Sequence, residues 1–265
     1  MCRPSQKNCY RPWWIKPRAS DAARMSALVR LQLLRIADVV AQAGAHTDHW
    51  LTEAERQRLA ALRAPARRAS FIAGHWQARQ LAAQQLGIAW QRITLHAHVD
   101  GRPQLCVDGN DAPLQLSISH SGDWLALAVA EAAVGVDIEL PRRSRDWDAL
   151  AGFVCSPDEL AYLQQQPAEL KQAAFHQLWT LKEAHGKRSG EGLQPKQAQL
   201  LTAQPTNAES ADAATWLFAH GALAVCGPAI SRVQVEGATS DGMVGAPSYW
   251  RYVASGCRAS HAVSA

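Results

Sequence analysis

The feature that most constrains the fold of this 265-residue chain is a pair of adjacent segments with strand patterns. Residues 124–130 form an almost continuous apolar run, which is typical of a strand buried on both faces. After a short turn, residues 134–140 alternate strictly, with Val, Ile and Leu at every second position, as in a strand with one buried face. We expect the two strands to form a hairpin.

The second of these segments places two carboxylates close together. Because side chains alternate along a strand, Asp137 and Glu139 emerge on one face and repel each other. One interpretation is a solvent-facing strand that tolerates the repulsion, which is the usual explanation of an isolated Asp-x-Glu. The other is a hard cation such as Mg2+, which binds carboxylates together with water and substrate phosphate. Gly135 favours a site at the rim of a sheet, where a backbone must be approached closely.

A long helix predicted over residues 169–187 supplies a third candidate carboxylate. On the stripe formed at i, i+3 and i+4 spacing, the first half is apolar, whereas the second half carries Lys182, Glu183 and Lys187. One explanation is a surface pair of Glu183 and Lys187, worth roughly a few tenths of a kcal/mol. The other is a site in which Glu183 is a metal ligand or base and both lysines neutralise an anionic substrate.

Helix and strand patterns follow one another along the rest of the chain. Helices are predicted at residues 52–62 and 66–86 and, from the capping box of Ser156 and Glu159, from residue 157 onward. Strands are predicted near residues 29–33, 93–99 and 114–118 and within 216–235, although a short helix fits residues 29–33 nearly as well. Residues 119–123 have the composition of a polar, phosphate-binding loop, and residues 203–214 also resemble a loop. Residues 125–139 and 223–236 share a strand–turn–strand pattern, which suggests two similar halves.

The charge of the chain is unevenly distributed. The formal net charge is +4, but six basic residues and one acid precede Met25, and the remainder is close to neutral. This distribution argues against a nucleic-acid partner, and no apolar run is long enough for a membrane span. We expect residues 1–24 to be a disordered basic leader, residues 25–142 and 143–255 to be the two halves, and residues 256–265 to be a frayed tail.

The six cysteines and ten histidines do not have the spacing of a zinc site. No Cys-x-x-Cys pair occurs, and a chain of this length does not need disulfide bonds to hold it together. We therefore expect free thiols and a reducing, cytoplasmic environment.

Six short motifs occur between residues 101 and 192. They are Gly101-Arg-Pro103, Ile118-Ser-His-Ser-Gly-Asp123, Val134-Gly-Val-Asp-Ile-Glu139, Phe153-x-x-Ser156-x-x-Glu159, Trp179-x-x-Lys-Glu-Ala-x-x-Lys187 and Gly190-x-Gly192. In their order and spacing they resemble the 4′-phosphopantetheinyl transferase superfamily, in its long, single-chain, Sfp-type branch. The resemblance covers roughly residues 65–195.

The resemblance implies an α+β fold of two similar α/β halves in one chain, with the active site at their interface. It implies transfer of 4′-phosphopantetheine from coenzyme A to a serine of an apo acyl or peptidyl carrier protein, with release of adenosine 3′,5′-bisphosphate. Asp137, Glu139 and Glu183 would hold Mg2+, or Mn2+, against the pyrophosphate. Glu183 would also be the base for the serine hydroxyl, and we expect a monomer.

The resemblance also assigns contacts to coenzyme A. Its phosphates would be contacted by Ser119, His120, Lys182 and Lys187, and its adenine nucleotide would lie by Arg102 and Pro103. Lys187 would be nearest the pyrophosphate, which gives it a catalytic role as well. Arg102 stands where the family often has Lys, which keeps the charge but changes its geometry.

Two arginines of the early helix complete the predicted set. Arg79 fits the family's pattern well. Ser70 stands where the family usually has an arginine, and Arg68 is assigned on the assumption that the charge has moved along the helix.

Two other functions stay open. One is a metal-dependent phosphohydrolase that keeps the same metal site, and the other is an inactive module that binds coenzyme A or a carrier. The acidic character of all three predicted metal ligands argues against the inactive module.

Overall fold

The computed structural model describes residues 28–46, 48–140, 146–218, 221–237 and 243–255, so the predicted leader and tail lie outside the described residues. Within these ranges the α-helices are α1 (Ile36–Gly44), α2 (Glu53–Ala61), α3 (Pro65–Leu86), α4 (Trp147–Val154), α5 (Pro157–Gln165), α6 (Ala168–Ser189) and α7 (Pro195–Gln199). The strands are β1 (Val29–Arg35), β2 (Ile93–Ala97), β3 (Pro103–Val107), β4 (Asn110–Asp111), β5 (Gln115–Ser121), β6 (Trp124–Ala130), β7 (Gly135–Glu139), β8 (Leu201–Thr206), β9 (Ala213–Phe218), β10 (Gly221–Cys226), β11 (Val233–Gly237) and β12 (Met243–Ala254). None of the helices in these ranges is long and apolar enough to cross a membrane.

The strands form three sheets, and one long helix packs on each of the two larger sheets. The first sheet has the order β11-β1-β6-β5 and contacts α3, whereas the second has the order β7-β10-β9-β12-β8 and contacts α6. Strands β2, β3 and β4 form the small third sheet. Leu125 of β6 is buried in one core with Trp76 of α3, and Ala224 of β10 in another with Leu181 of α6. The predicted α+β fold is confirmed.

The predicted hairpin of residues 124–130 and 134–140 does not form. Strand β6 pairs with β1 on one edge and with β5 on the other, so it has no free edge for β7. Strand β7 pairs antiparallel with β10 in the second sheet, where Asp137 lies opposite Ala224. The short connection and the strand patterns suited a hairpin, but the pairing of β6 was decided by β1, which is distant in sequence. The chain therefore changes sheets between β6 and β7.

The second half contributes a strand to the first sheet in return. After β10, the chain continues into β11, which pairs in parallel with β1, with Val233 opposite Val29. In each copy of the repeated strand–turn–strand pattern, the second strand therefore joins the other sheet: β7 leaves the sheet of β6, and β11 leaves the sheet of β10. This exchange interlocks the two halves. The predicted boundary between residues 142 and 143 assigns β7 to the first half by its position in the sequence. In the structure, β7 belongs to the second sheet.

Strand β5 includes the first three residues of the segment predicted to be a polar loop, and only residues 122–123 form the turn. Its alternate serines turn their hydroxyl groups toward backbone N–H groups of β7 and of Leu140, the residue that follows it. Ser117 Oγ accepts from Val136 (3.0 Å), Ser119 Oγ from Ile138 (3.4 Å) and Ser121 Oγ from Leu140 (3.0 Å). We call these three contacts the serine ladder, and they join the edge of the first sheet to the edge of the second. The loop prediction followed the composition of the segment and overlooked its period of two.

Both halves contain the same buried ion pair. In each half, a glutamate that closes a capping box forms an ion pair with a basic side chain of the following helix, which has 22 residues. The basic residue lies fourteen positions after the first residue of that helix. The pairs are Glu55 with Arg79 at 2.7 Å and Glu159 with Lys182 at 2.9 Å. This repetition supports the interpretation of the chain as two similar halves.

The predicted loop at residues 203–214 is wrong at both ends, because β8 runs from Leu201 to Thr206 and β9 begins at Ala213. The small and polar side chains of β8 have no clear strand alternation, and its partner β12 comes much later in the chain. By contrast, the predicted helices at α2, α3, α5 and α6 are present. Gly87 ends α3 in the left-handed conformation, with φ of 65°.

Strand β7 lies directly on the backbone of α6 at Gly135. A Cβ atom at this position would lie 1.9 Å from the carbonyl oxygen of Ala184 and 2.7 Å from the amide nitrogen of Arg188. Only glycine allows this contact, so Gly135 does mark a close approach of another backbone. The contact brings the carboxylates of β7 beside the C-terminal half of α6.

We expect Gly135→Ala to lower the free energy of unfolding by about 3 kcal/mol, because the methyl group forces β7 away from α6. Gly152→Ala in α4 is the matched control, since a Cβ there meets open space, and it should be neutral or stabilise by up to about 1 kcal/mol. Urea unfolding measures both. Equal stability of the two variants would contradict the close contact.

We expect the Glu55 ion pair to make stability depend on pH. Burial raises the pKa of Glu55, but hydrogen bonds from His75 and Arg79 outweigh it and lower the pKa from 4.5 to about 2. Since the folded pKa is the lower one, the stabilisation is present above about pH 4.5 and is lost as the pH falls toward 2. The shift corresponds to about 3 kcal/mol.

The measurement is urea unfolding of the wild type and Glu55→Gln between about pH 6 and pH 2. The difference in unfolding free energy should shrink by about 3 kcal/mol over this range. Glu191→Gln, at an exposed glutamate, is the control and should show no comparable change. A constant difference for Glu55→Gln would contradict the role of the pair.

Candidate active site

Strands β5 and β7 and helix α6 meet at a buried carboxylate. Asp137 of β7 is 4% exposed. Its Oδ1 accepts hydrogen bonds from Ser119 Oγ at 2.7 Å and from Lys187 Nζ of α6 at 2.7 Å. Its Oδ2 is buried and has no hydrogen-bond partner among the residues that the structure describes. Because an unpartnered buried carboxylate oxygen is costly, Oδ2 is the atom at which an added ligand fits best.

Glu139 lies two residues farther along the same face of β7. It is half-buried, and its Oε2 is 3.5 Å from Ser121 Oγ, a long contact. The two carboxylates are thus each approached by a serine of β5. The face that they share is turned toward β5 and α6 at the junction of the two sheets.

Lys187 shows which face of α6 is turned to β7. Its ammonium group reaches Asp137, and Glu183 lies one helical turn earlier on the same face, half-buried. The charged end of the stripe on α6 therefore borders the strand that carries the other two carboxylates.

A divalent cation fits this arrangement as a shared ligand. In the part of the chain that the structure describes, no three His, Cys, Asp or Glu side chains are grouped so that they could hold a metal ion by themselves. Mg2+ does not require such a group, because it usually binds one or two carboxylates and completes its octahedron with water and substrate phosphate. Asp137, with its unpartnered Oδ2, and Glu139 provide carboxylates for such a set.

Arg102 connects the turn before β3 to the end of α6. Its Nε and Nη2 donate to Asp100 Oδ2 at 2.9 and 2.7 Å, and its Nη1 donates to the carbonyl of Arg188 at 3.1 Å. The hydrogen bond from Arg102 holds the pKa of Asp100 far below its usual range. The side chain also lies over Gly190, where a Cβ would be 2.8 Å from Arg102 Cζ. Pro103, half-buried, begins β3 beside it.

Two family models match the chain one after the other. A model described as 4′-phosphopantetheinyl transferase, N-terminal, matches residues 45–132, and a model described as 4′-phosphopantetheinyl transferase superfamily matches residues 133–225. The chain belongs to the 4′-phosphopantetheinyl transferase superfamily. The two matches meet in the connection between β6 and β7, where the chain changes sheets.

Curated relatives agree with this family. The chain is 34% identical over 116 residues to the 4′-phosphopantetheinyl transferase psf-1 of Bacillus pumilus, covering 43% of this chain and 47% of the relative. It is 44% identical over 80 residues to AcpT of Salmonella typhimurium, covering 30% and 42%. It is 29% identical over 143 residues to HetI of a Nostoc species, covering 54% and 60%. The chain thus spans about half the length of the curated relatives that it matches.

The phosphopantetheinyl transferase motifs do not all reach this site, and Lys182 is the first correction. Lys182 is 2% exposed. Its three N–H donors are used by the carbonyls of Ala198 (2.6 Å) and Leu201 (2.5 Å) and by the Glu159 carboxylate. No donor is left for a coenzyme A phosphate, so that assignment is wrong. Lys182 instead holds α6 against α5 and β8.

Arg79 requires the same correction. It is 1% exposed, donates to Glu55 and to the carbonyl of His75, and lies over the ring of Trp50 at 5.0 Å. It is part of the core of the first half rather than of a coenzyme A site. Arg68 is half-buried, and its Nη1 donates to carbonyls at the C-terminal end of α2. A coenzyme A contact of Arg68 stays a prediction.

Ser119 and His120 do not act together as a phosphate-binding loop. Because they are neighbours on a strand, their side chains point to opposite faces. Ser119 is buried and bonded to Asp137, whereas His120 is exposed. The hydroxyl group of Ser119 is thus already used inside the protein, and the predicted contacts of Ser119 and His120 with coenzyme A phosphates both stay predictions.

Sequence reasoning missed Ser117 and Ser121 as parts of the site's support. Together with Ser119 they recur at every second residue, which is the signal of one strand face. The pattern was present in the sequence, but nothing local showed that this face would meet β7.

We expect Lys182→Met to lower the free energy of unfolding by about 3–5 kcal/mol, because it leaves the buried Glu159 carboxylate without its cation. Arg92→Met is the control, since it removes an exposed ion pair with Asp108 and should cost less than about 1 kcal/mol. Urea unfolding measures both. A Lys182→Met protein as stable as the control would restore a functional role for Lys182.

Proposed function

We propose that this protein transfers the 4′-phosphopantetheine group of coenzyme A to a serine of an apo acyl or peptidyl carrier protein and releases adenosine 3′,5′-bisphosphate. Membership of the family supports the reaction class. The observation that carries the proposal is the buried Asp137. Its Oδ1 is held by Lys187 at the junction of the two halves, and its Oδ2 has no partner within the described ranges of the chain.

Asp137 and Glu139 would hold Mg2+, or Mn2+ in its place, and we keep Glu183 as the third proposed ligand, although the described part of the structure does not group the three carboxylates. When bound, the cation would neutralise charge on the pyrophosphate as its bond breaks. Lys187 supplies a positive charge at the same place, and it would contact the pyrophosphate oxygens. Glu183, half-buried on α6, is the candidate base for the hydroxyl of the incoming serine.

The remaining coenzyme A contacts are proposed from the edge of this junction. Arg102 and Pro103 would lie by the adenine nucleotide, and the exposed His120 would contact a phosphate. We propose that Arg102 also fixes this turn on α6, since it donates to the last turn of that helix. The site would then be bordered by both halves.

The chain contributes both sides of the junction, and we therefore propose that it acts as a monomer. We also propose a cytoplasmic location, because Cys106, Cys155 and Cys226 are free thiols and reduced thiols are usual in that compartment.

The test of the reaction is the mass of the carrier. The protein is incubated with coenzyme A, Mg2+ and a panel of apo acyl and peptidyl carriers, and each carrier is weighed by mass spectrometry. A gain equal to one phosphopantetheine group is expected for at least one carrier. Cleavage of coenzyme A without a gain would favour a phosphohydrolase, and no change in either would favour an inactive binding module.

We expect Asp137→Asn and Glu183→Gln to reduce transfer by at least about 100-fold, because each removes a negative charge from the proposed metal site. Both changes preserve side-chain size, and Lys187, the partner of Asp137, is partly exposed, so both variants should remain folded, which thermal unfolding checks. Glu191→Gln, just beyond α6 and exposed, is the control with the same chemistry and should keep full activity. Near-wild-type turnover of either site variant would refute its role.

A further inference from the structure

The hydroxyl group of Ser119 is used twice inside the protein. It accepts the backbone N–H of Ile138 at 3.4 Å and donates its one proton to Asp137 Oδ1 at 2.7 Å. Ser119 is 7% exposed. The two contacts form a short relay from the backbone of β7, through a side chain of β5, to the carboxylate that precedes Ile138. Ser119 therefore fixes the strand and its acidic side chain together.

The relay makes the two oxygens of Asp137 unequal. Oδ1 accepts from both Ser119 and Lys187, whereas the buried Oδ2 has no partner in the described part of the chain. The terminal torsion of an aspartate is broad and roughly two-fold, so a carboxylate held by one donor can turn. Two donors from different elements, one on β5 and one on α6, restrict that rotation.

We propose that Ser119 is a positioning residue, which holds Asp137 so that Oδ2 remains directed to a divalent cation. This proposal rests on the proposed function, because it deepens the role of Asp137 there. Partners that orient a metal ligand in this way typically change metal affinity or activity by about 10–100-fold when they are removed. In this role Ser119 acts on the cation through Asp137, to which its hydroxyl group donates.

The serine ladder contains its own control. Ser117 Oγ accepts the N–H of Val136 at 3.0 Å, a contact of the same kind and at least as short as that of Ser119. Residue 135, the position before Val136, is a glycine, so Ser117 has no carboxylate at the position corresponding to Asp137. A loss caused by weakening the junction of the sheets should appear in both serine variants, and a loss caused by misplacing Asp137 should appear at Ser119 alone.

The experiment compares the wild type, Ser119→Ala and Ser117→Ala by titration with Mn2+, alone and with saturating coenzyme A. Free Mn2+ is measured by electron paramagnetic resonance, and no carrier is present. We expect Ser119→Ala to raise the Mn2+ dissociation constant about 10-fold or more. We expect Ser117→Ala to change it less than about 2-fold, although both variants lose a similar amount of thermal stability.

Two further variants keep the test decisive if Ser119→Ala does not fold. Ser119→Thr retains the hydroxyl and should bind Mn2+ nearly as tightly as the wild type. Ser119→Cys retains the size but donates a weaker hydrogen bond, so its affinity should lie below that of Ser119→Thr. In the transfer assay, the Mg2+ concentration that gives the half-maximal rate should rise from Ser119→Thr to Ser119→Cys to Ser119→Ala. Excess Mg2+ should restore most of the rate in each variant.

Wild-type affinity for Mn2+ in Ser119→Ala or Ser119→Cys, or an equal loss in Ser117→Ala, would overturn the positioning role. These results would leave the proposed transfer reaction standing, because that reaction is judged by the mass of the carrier. Failure of the wild type to modify any carrier, with Mn2+ affinities still in the expected order, would overturn the reaction alone. Absence of Mn2+ binding by the wild type in both conditions would overturn the metal site and, with it, this inference.

Discussion

The hydrogen bonds between β7 and the serines of β5 are the interaction on which the site depends. Strand β7 is the edge of the second sheet, so alternate N–H groups have no strand partner, and leaving a buried one unpaired costs about 1–3 kcal/mol. The hydroxyl groups of Ser117, Ser119 and Ser121 accept these donors. A strand paired with β7 through its backbone, in place of these serine side chains, would have joined the two sheets without a gap. Side chains instead join the sheets and leave the face with Asp137 and Glu139 at their boundary.

The duplicated architecture supports the site, but of the two corresponding long helices only α6, and not α3, carries charged residues of the site. The buried pairs Glu55–Arg79 and Glu159–Lys182 occupy corresponding positions in the two halves. When α3 and α6 are aligned on these cations, Glu183 corresponds to Gln80 and Lys187 to Gln84, so an uncharged amide stands at both positions. The first half thus retains the scaffold without the acid and base residues. The shared geometry of the ion pairs is structural, and the chemistry belongs to the few positions at which the halves differ.

The sequence predicted those features that depend on local patterns. The helices, their capping boxes, the alternation at Asp137 and Glu139 and the close contact at Gly135 all follow from spacing over a few residues. The partner of β7 was not predictable in this way, because it depends on β1 having taken the free edge of β6. Lys182 and Lys187 also look alike in the sequence. They differ because Lys182 meets a glutamate 23 residues earlier, whereas Lys187 meets Asp137 across the junction.

Asp137 shows why neither explanation of the Asp-x-Glu pattern was complete. The carboxylate is not solvent-facing, and the repulsion from Glu139 does not require a metal ion for its relief, since Lys187 and Ser119 already stabilise the charge. Both donors use the same oxygen. A fully satisfied aspartate would have had partners at both oxygens, as Glu159 has with Lys182, Ser156 and Ala203. The difference between these two buried carboxylates separates a residue that stabilises the fold from one that keeps an oxygen available for a ligand.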